Sequence, residues 1–349
     1  RFDPDFGGSR GAPKFPRATE LEWLLDAREE ADAAGMANLA LANMASRGLQ
    51  DHLGGGFFRY CVDASWTIPH FEKMLYDNAQ LLPVYARVAV SARADANLRS
   101  TCMTAALGIT EWLARDMAVP GGAFHAAISA DSEGEEGRFY LWTREQCRAA
   151  LPEGLLPLAE QAFGLDRPPN FEGKSWHLMR VTPVDSIAWQ LGRPVDAVES
   201  GYGKARRMLF ELREKRTRPL HDDKILTAWN ALAISSLARS ARLLDDTGCA
   251  DMARRALAAL RESAWIDGEL FANAVAPAAR IPGFLDDHAF LLDALLETMQ
   301  LAFDPRDLDW AIALADALCG KFVDDETGGF WFSARAHATP LARGRSWTD

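Results

Sequence analysis

Ionisable residues of the chain gather where its long apolar-periodic stretches begin. His70 and Glu72 precede Asp77 in "PHFEKMLYDNAQL", His221, Asp222, Asp223 and Lys224 open "HDDKILTAWNAL", and Asp286, Asp287 and His288 open "GFLDDHAFLLDAL". Carboxylates on facing elements suit glycosidic chemistry, in which one protonated acid serves the leaving oxygen and a second carboxylate acts across the sugar ring. An imidazole beside a carbonyl suits the removal and return of a proton, the chemistry of a sugar epimerase or isomerase. Asp222, Asp223, Glu72, Asp287, His70 and His288 therefore form the candidate catalytic set. The same residue types also have ordinary uses. Acids are favoured as N-caps and in first helical turns, and Lys73 with Asp77, four apart, matches a surface ion pair on a helix.

Eleven Trp and 18 Phe supply aromatic faces, concentrated near glycine-rich strings at Phe57, Phe58, Tyr60, Trp66, Phe139, Tyr140, Trp142, Trp176, Phe330 and Trp331. Such faces suit the C–H patches of pyranose rings, although large aromatics also fill cores. Trp66 and Trp176 stand in polar loops and are the preferred positions at the mouth of a site. Asp222 with Trp229, and Asp223 with Asn230, are seven apart and share a face over two turns of a helix beginning near 222. Arg59, Tyr60, Asp131 and Lys224 complete the expected substrate contacts. Other templates fail: there is no GxGxxG after a strand, no GxxxxGK[ST], no HExxH and no GxSxG. Seven His without an i, i+4 pair argue against a transition-metal site. The stretch Asp131-Ser132-Glu133-Gly134-Glu135 lacks the rest of a calcium loop and reads as solvated acid. No cofactor and no metal are expected.

These residues need elements to position them, and apolar spacing at i, i+3, i+4 and i+7 makes those elements helices. The pattern places helices near 18–33, 36–51, 68–92, 95–117, 144–151, 155–163, 194–215, 222–246, 249–264, 283–303 and 306–322. Thr143 with Gln146 fits a capping box, and Pro69, Pro194 and Pro305 fit first helical turns. A repeat underlies the pattern. "GGGFFRYCVD" (54–63), "GGAFHAAISAD" (121–131), "DGELFANAV" (267–275) and "GGFWFSAR" (328–335) each set a turn before an aromatic and a short alternating strand, with Phe57, Phe124, Phe271 and Phe330 spaced 67, 147 and 59 apart. One unit is a helical hairpin of about 60 residues plus a Gly-Phe loop, which cannot bury both helices alone.

A closed (α/α)6 toroid of such hairpins, with short β-hairpins at one rim, is the expected fold of this all-α chain. An open solenoid, with shorter repeats and no Gly-Phe strands, fits less well. Nine long helices against the twelve of six hairpins predict a ring incomplete at its C-terminus. Residues 1–349 then form a single toroid domain, with an elaborated excursion on one rim at about 121–193.

Composition narrows the function classes. A net charge of −11 without a basic stripe opposes nucleic acid as a partner. Five cysteines at least 41 residues apart, with no CxxC, fit neither a disulfide framework nor a zinc knuckle and point to a reducing compartment. No apolar run approaches the length of a membrane span. A cytoplasmic protein with no membrane partner is expected.

Five ordered strings carry a resemblance: "GAPKFP" (11–16), "WTIPHFEKMLYDNAQL" (66–81), "ADSEGEEGRFYLWT" (130–143), "NFEGK" (170–174) and "RPLHDDKILTAWN" (218–230). Together they resemble the DUF255, spermatogenesis-associated protein 20-like family of thioredoxin-domain-containing proteins, in its large helical part. The resemblance implies a six-hairpin glycosidase-like toroid similar to N-acylglucosamine 2-epimerases, and a carbohydrate-related role with a sugar or sugar derivative as ligand. It also implies a thioredoxin-like domain of the same polypeptide, expected before residue 1 and absent from this chain. Departures from the family's pattern include Phe58 where His is common, Ser129 for an Asp and Ala231 for a Gly. They speak for an alternative, a non-catalytic binding or scaffold domain serving the thioredoxin-like domain.

Overall fold

The computed structural model of the protein describes residues 2–27, 32–180, 182–274, 280–335 and 344–345. Two compact units emerge, one of residues 1–112 and 127–221, the other of residues 113–126 and 222–349. The first holds α1 (Ala18–Asp26), α2 (Ala33–Ser46), α3 (Leu75–Ala89), α4 (Ala96–Trp112), α5 (Arg144–Ala150), α6 (Leu156–Ala162), α7 (Val184–Leu191) and α8 (Val195–Arg213). Its strands are two-residue pieces: β1 (Tyr60–Cys61), β2 (Pro69–His70), β3 (Lys73–Met74), β4 (Ala127–Ile128), β5 (Asp131–Ser132) and β6 (Glu135–Glu136), while β7 (His221–Asp222) falls at the boundary. The second unit holds α9 (Thr227–Leu244), α10 (Thr247–Ser263), α11 (Leu285–Met299) and α12 (Pro305–Phe322), with β8 (Trp265–Ile266) and β9 (Glu269–Leu270). The expected all-α class, helical hairpins with short β-hairpins, is the class of the structure.

Packing follows the apolar stripes. In the first unit α3 lies against α4, burying Leu75, Leu81, Leu82 and Tyr85 with Cys102, Ile109 and Trp112. In the second, α9 packs on both α10 and α11. Its Ala231, Ala233, Ser235 and Ala238 are buried, and such small side chains let three helices approach on more than one side.

The repeat seen in the sequence has a structural counterpart. Phe57, Phe124 and Phe330 each form an isolated bridge back to Gln50, Ala118 and Val323, and Phe271 bridges to Pro282. The fourth residue of a later long helix clasps two of these turns. Asn78 of α3 accepts the Phe57 N–H and donates to Phe57 O and, four residues back, to Met74 O. Asn230 of α9 makes the same three bonds to Phe124 and Leu226. His288 holds the equivalent place in α11, its Nδ1 2.7 Å from Phe284 O four residues back. These buried amides satisfy backbone groups that the loop would otherwise leave unpaired. Gly55, at φ +77°, is required in the first loop, where a Cβ would stand 2.2 Å from Gly108 O.

Two helix starts differ from expectation. The 68–92 helix begins at Leu75, because Pro69 and His70 pair with Cys61 and Tyr60, and Lys73 and Met74 pair with Ile128 and Ala127. The 222–246 helix begins at Thr227, so Asp222 and Asp223 do not open it. Asp222 instead takes the Lys224 ammonium at 2.5 Å, and the Thr227 N–H donates to Ala272 O, which fixes the start five residues later. The 95–117 helix stops at Trp112 and continues as a π turn over Leu113–Met117. A helix absent from the expected set, α7, starts after Pro183 and ends at Gly192 in the left-handed region. The Thr143–Gln146 capping box is present, and Pro305 opens α12.

Candidate functional site

Residues 70–73 alternate in burial: His70 and Glu72 are half-buried, Phe71 and Lys73 are buried. That alternation separates an open polar face from a closed one. On the open face β1 and β2 pair with Tyr60 directly opposite His70, so the two rings stack at 5.1 Å. The intervening loop is fixed by Asp63, whose carboxylate accepts the N–H groups of Ser65, Thr67 and Ile68. His70 Nδ1 lies 2.7 Å from Glu136 Oε1 on β6, and His70 Nε2 lies 3.8 Å from Glu72 Oε2. Glu72 also accepts Arg59 at 2.9 Å, and Arg59 is hydrogen-bonded to the Tyr76 hydroxyl. Asp131 of β5, exposed, sits directly across from Glu136. The His70 and Glu72 side chains keep 29% and 25% of their surface open to solvent. A carboxylate at Nδ1 orients the ring and leaves Nε2 as the nitrogen able to take and return a proton.

Beneath this face lies a buried charge network. Asp51 accepts Lys73 at 2.8 Å and Arg213 at 2.7 Å, together with the N–H groups of Leu53 and Gly54. Lys73 donates a further bond to Gly55 O. The Lys73 ammonium and the Arg213 guanidinium stand 5.4 and 5.3 Å from the Tyr140 ring. Burial opposes ionisation of Asp51, but Arg213 and Lys73 hold its carboxyl well below the usual range. Lys73 is thus a buried partner of Asp51 rather than a surface residue. His52 and His177 lie beside this network, bonded through Nε2 to Arg47 O and Gly48 O, and burial pushes both down to about 4.

The second unit handles the same side-chain types differently. Asp287, in the first turn of α11, accepts the Ala228 N–H of α9 at 2.9 Å and the Phe284 N–H at 2.8 Å. Burial raises its pKa to about 7, reinforced by Asp286 and opposed by those two backbone donors. Burial raises the Asp286 carboxyl as well. His288 and Asn230 are the buried clasps described above. Trp229 is half-buried, Asp223 is exposed, and Asp222 and Lys224 form a solvent-facing ion pair.

Trp66 and Trp176 are folded under their loops rather than placed at an open mouth. Trp66 is buried and donates through Nε1 to Phe6 O, and Trp176 is buried with Nε1 on Arg167 O. Polar flanks concealed this, because an indole needs only one partner for its N–H to enter a core. Glu136 was hidden among the acids of "SEGEEG", and only the tight β5–β6 hairpin brings it to His70. Asp51 and Arg213, 162 positions apart in the chain, leave no local signal at all.

No family model matches the chain. It is 30% identical over 374 residues to spermatogenesis-associated protein 20 of Homo sapiens, covering 95% of this chain and 47% of that protein. The Mus musculus protein of that name is 30% identical over 373 residues, with the same coverage. The chain thus spans about half the length of the curated relatives it matches. Among solved structures it is similar to a sugar epimerase from a ruminal bacterium, at 13% identity, 95% of this chain, 85% of that chain and a TM-score of 0.41. It is also similar to the Lin0763 protein from Listeria innocua, at 11% identity, 91% and 64% coverage and a TM-score of 0.49.

Proposed function

We propose that the chain is the helical-toroid portion of a DUF255-type, spermatogenesis-associated protein 20-like polypeptide, and that its first unit binds and acts on a neutral sugar. The observation that carries the proposal is His70, oriented by Glu136, flanked by Glu72 and stacked on Tyr60 in a half-open position. Three carboxylates, Glu72, Glu136 and Asp131, against one guanidinium disfavour an acidic or phosphorylated ligand. Arg59, Asp131 and the Tyr60 hydroxyl are the contacts for hydroxyl groups. The imidazole removes a proton from the carbon next to a carbonyl of the open-chain sugar and returns it to the same or the neighbouring carbon, as an epimerase or isomerase requires. A hydrolase instead needs one of Glu72 and Glu136 protonated.

The test is incubation of the protein with neutral sugars in D2O, followed by NMR. Deuterium entering the carbon beside the carbonyl, lost in His70→Ala, is the expected result; release of a new reducing end assigns the hydrolase. A second proposal, a non-catalytic scaffold serving a thioredoxin-like domain, draws support from Trp66, Trp176, Asn230 and Asp287, all engaged in holding the fold. It expects no sugar response. The five free cysteines suit a reducing, cytoplasmic setting. No helix among the described residues is long and apolar enough to cross a membrane.

A further inference from the structure

A cavity of about 420 Å³ opens within the first unit between the segment 2–16 and α1, lined by Ser9, Phe15, Arg17, Glu20, Trp23 and Met36 among others. Its volume is in the range of small-ligand pockets. Two large aromatics stand open at it, Trp23 at 64% and Phe15 at 38% exposure, whereas exposed apolar side chains normally occur singly.

The wall is held firmly. Lys14, buried, bonds Asp3 at 2.7 Å and Ala64 O at 2.8 Å, and its backbone pairs with Cys61 in both directions. That pairing sets Phe15 beside Tyr60, with ring centroids 4.8 Å apart. Tyr60 in turn stacks on His70 at 5.1 Å. Phe15 therefore ties the cavity wall to the His70–Glu136 pair through a stack of near-parallel rings, whose edges rather than faces are turned to solvent. The charged groups at the cavity, Arg17 and Glu20, neutralise each other at 2.7 Å, so it has no excess charge to attract an ion. Apolar ring faces with a few hydroxyl and carbonyl groups at the edge suit a ring that is apolar on one side and hydroxylated at its rim.

We infer that this cavity is a second sugar subsite, joined to the His70 cluster through Phe15 and Tyr60, and that the ligand is a neutral oligosaccharide of at least two rings. The inference rests on the sugar-binding function proposed above and adds the length of its ligand. The first ring sits at His70 and the edge of Tyr60; the next passes the edge of Phe15 and lies on Trp23, the most open of these rings.

The experiment is calorimetric titration of the protein with neutral mono-, di- and trisaccharides of glucose, galactose, mannose and N-acetylglucosamine, using wild type, Trp23→Ala, Trp23→Phe and His70→Ala. Trp23 is exposed, so its replacement leaves the fold intact. The expected result is a di- or trisaccharide binding at least tenfold more tightly than its monosaccharide. Trp23→Ala erases that advantage, Trp23→Phe restores most of it, and monosaccharide binding stays within about twofold. His70→Ala weakens short and long ligands alike. Sugar binding without length preference, or a preference indifferent to Trp23→Ala, overturns the second subsite and leaves the sugar proposal standing. No binding by any sugar overturns both.

Discussion

In the first unit His70 meets Glu136 and Glu72 side chain to side chain with solvent at hand, whereas in the second Asp287 commits both oxygens to backbone N–H groups and is 3% exposed. One cluster has polar atoms left to offer a ligand. The other joins the beginnings of α9 and α11, and its raised pKa is the consequence of a buried carboxyl rather than a sign of catalysis. A perturbed pKa marks a functional residue only when the group can reach a substrate, and both oxygens of Asp287 are taken by backbone N–H groups. The buried centres differ in sign as well. Asp51 is outnumbered by Lys73 and Arg213, while Asp287 has a second acid beside it.

The largest effect that would break this comparison lies at Asp51. Replacement by Ala leaves two buried cations without their counter-charge, which costs about 3–5 kcal/mol, and hydrogen exchange of residues 49–58 should rise to the level of global unfolding. Unchanged protection would show that the network is not what holds the first loop.

Next comes pH. His52 and His177 have folded values near 4 against 6.5 unfolded, so the unfolded chain binds more protons between those values. Stability of the first unit is then full above 6.5 and is lost as pH falls toward 4, by up to about 3 kcal/mol per histidine. Asp287 runs the other way: its folded value near 7 exceeds 3.8, so its contribution is present at low pH and is lost as pH rises from about 4 through 7. Hydrogen exchange followed separately in α3 and α9 from pH 4 to 8 should give slopes of opposite sign, and parallel slopes would dissolve the distinction.

A smaller effect follows from Asp287→Ala, which removes the acceptor of two buried N–H groups at a cost of about 1–3 kcal/mol. Faster exchange at Ala228 and Phe284 should accompany it. His70→Ala, on a half-open face, should change stability by less than about 1 kcal/mol.

Legibility in the sequence follows the range of the interaction. The Gly-Phe repeat and the helix openings are local, and Phe57, Phe124, Phe271 and Phe330 do form recurring bridges. Residues 68–74 and 222–226 carry helix-compatible spacing, yet pairing with distant strands and turns overrides it, as tertiary contacts commonly do for short segments. Of the candidate site, His70, Glu72, Arg59 and Tyr60 were visible as types near one another in the chain. Glu136, 66 positions from His70, and Phe15 were not, since only folding brings them to the cluster. Asn78 and Asn230 look alike in "YDNAQL" and "TAWNAL", but their common task of clasping a phenylalanine's backbone is a property of the loop they meet.

The most direct measurement is a sugar titration monitored by the ring NMR signals of His70 in wild type, Glu72→Gln and Asp287→Asn, at a pH where all three are folded. A functional first unit and a structural second one predict that a neutral sugar shifts the His70 resonances saturably, that Glu72→Gln weakens this binding at least tenfold, and that Asp287→Asn leaves it within about twofold. Binding that ignores Glu72 and His70 but disappears with Asp287→Asn would contradict that assignment.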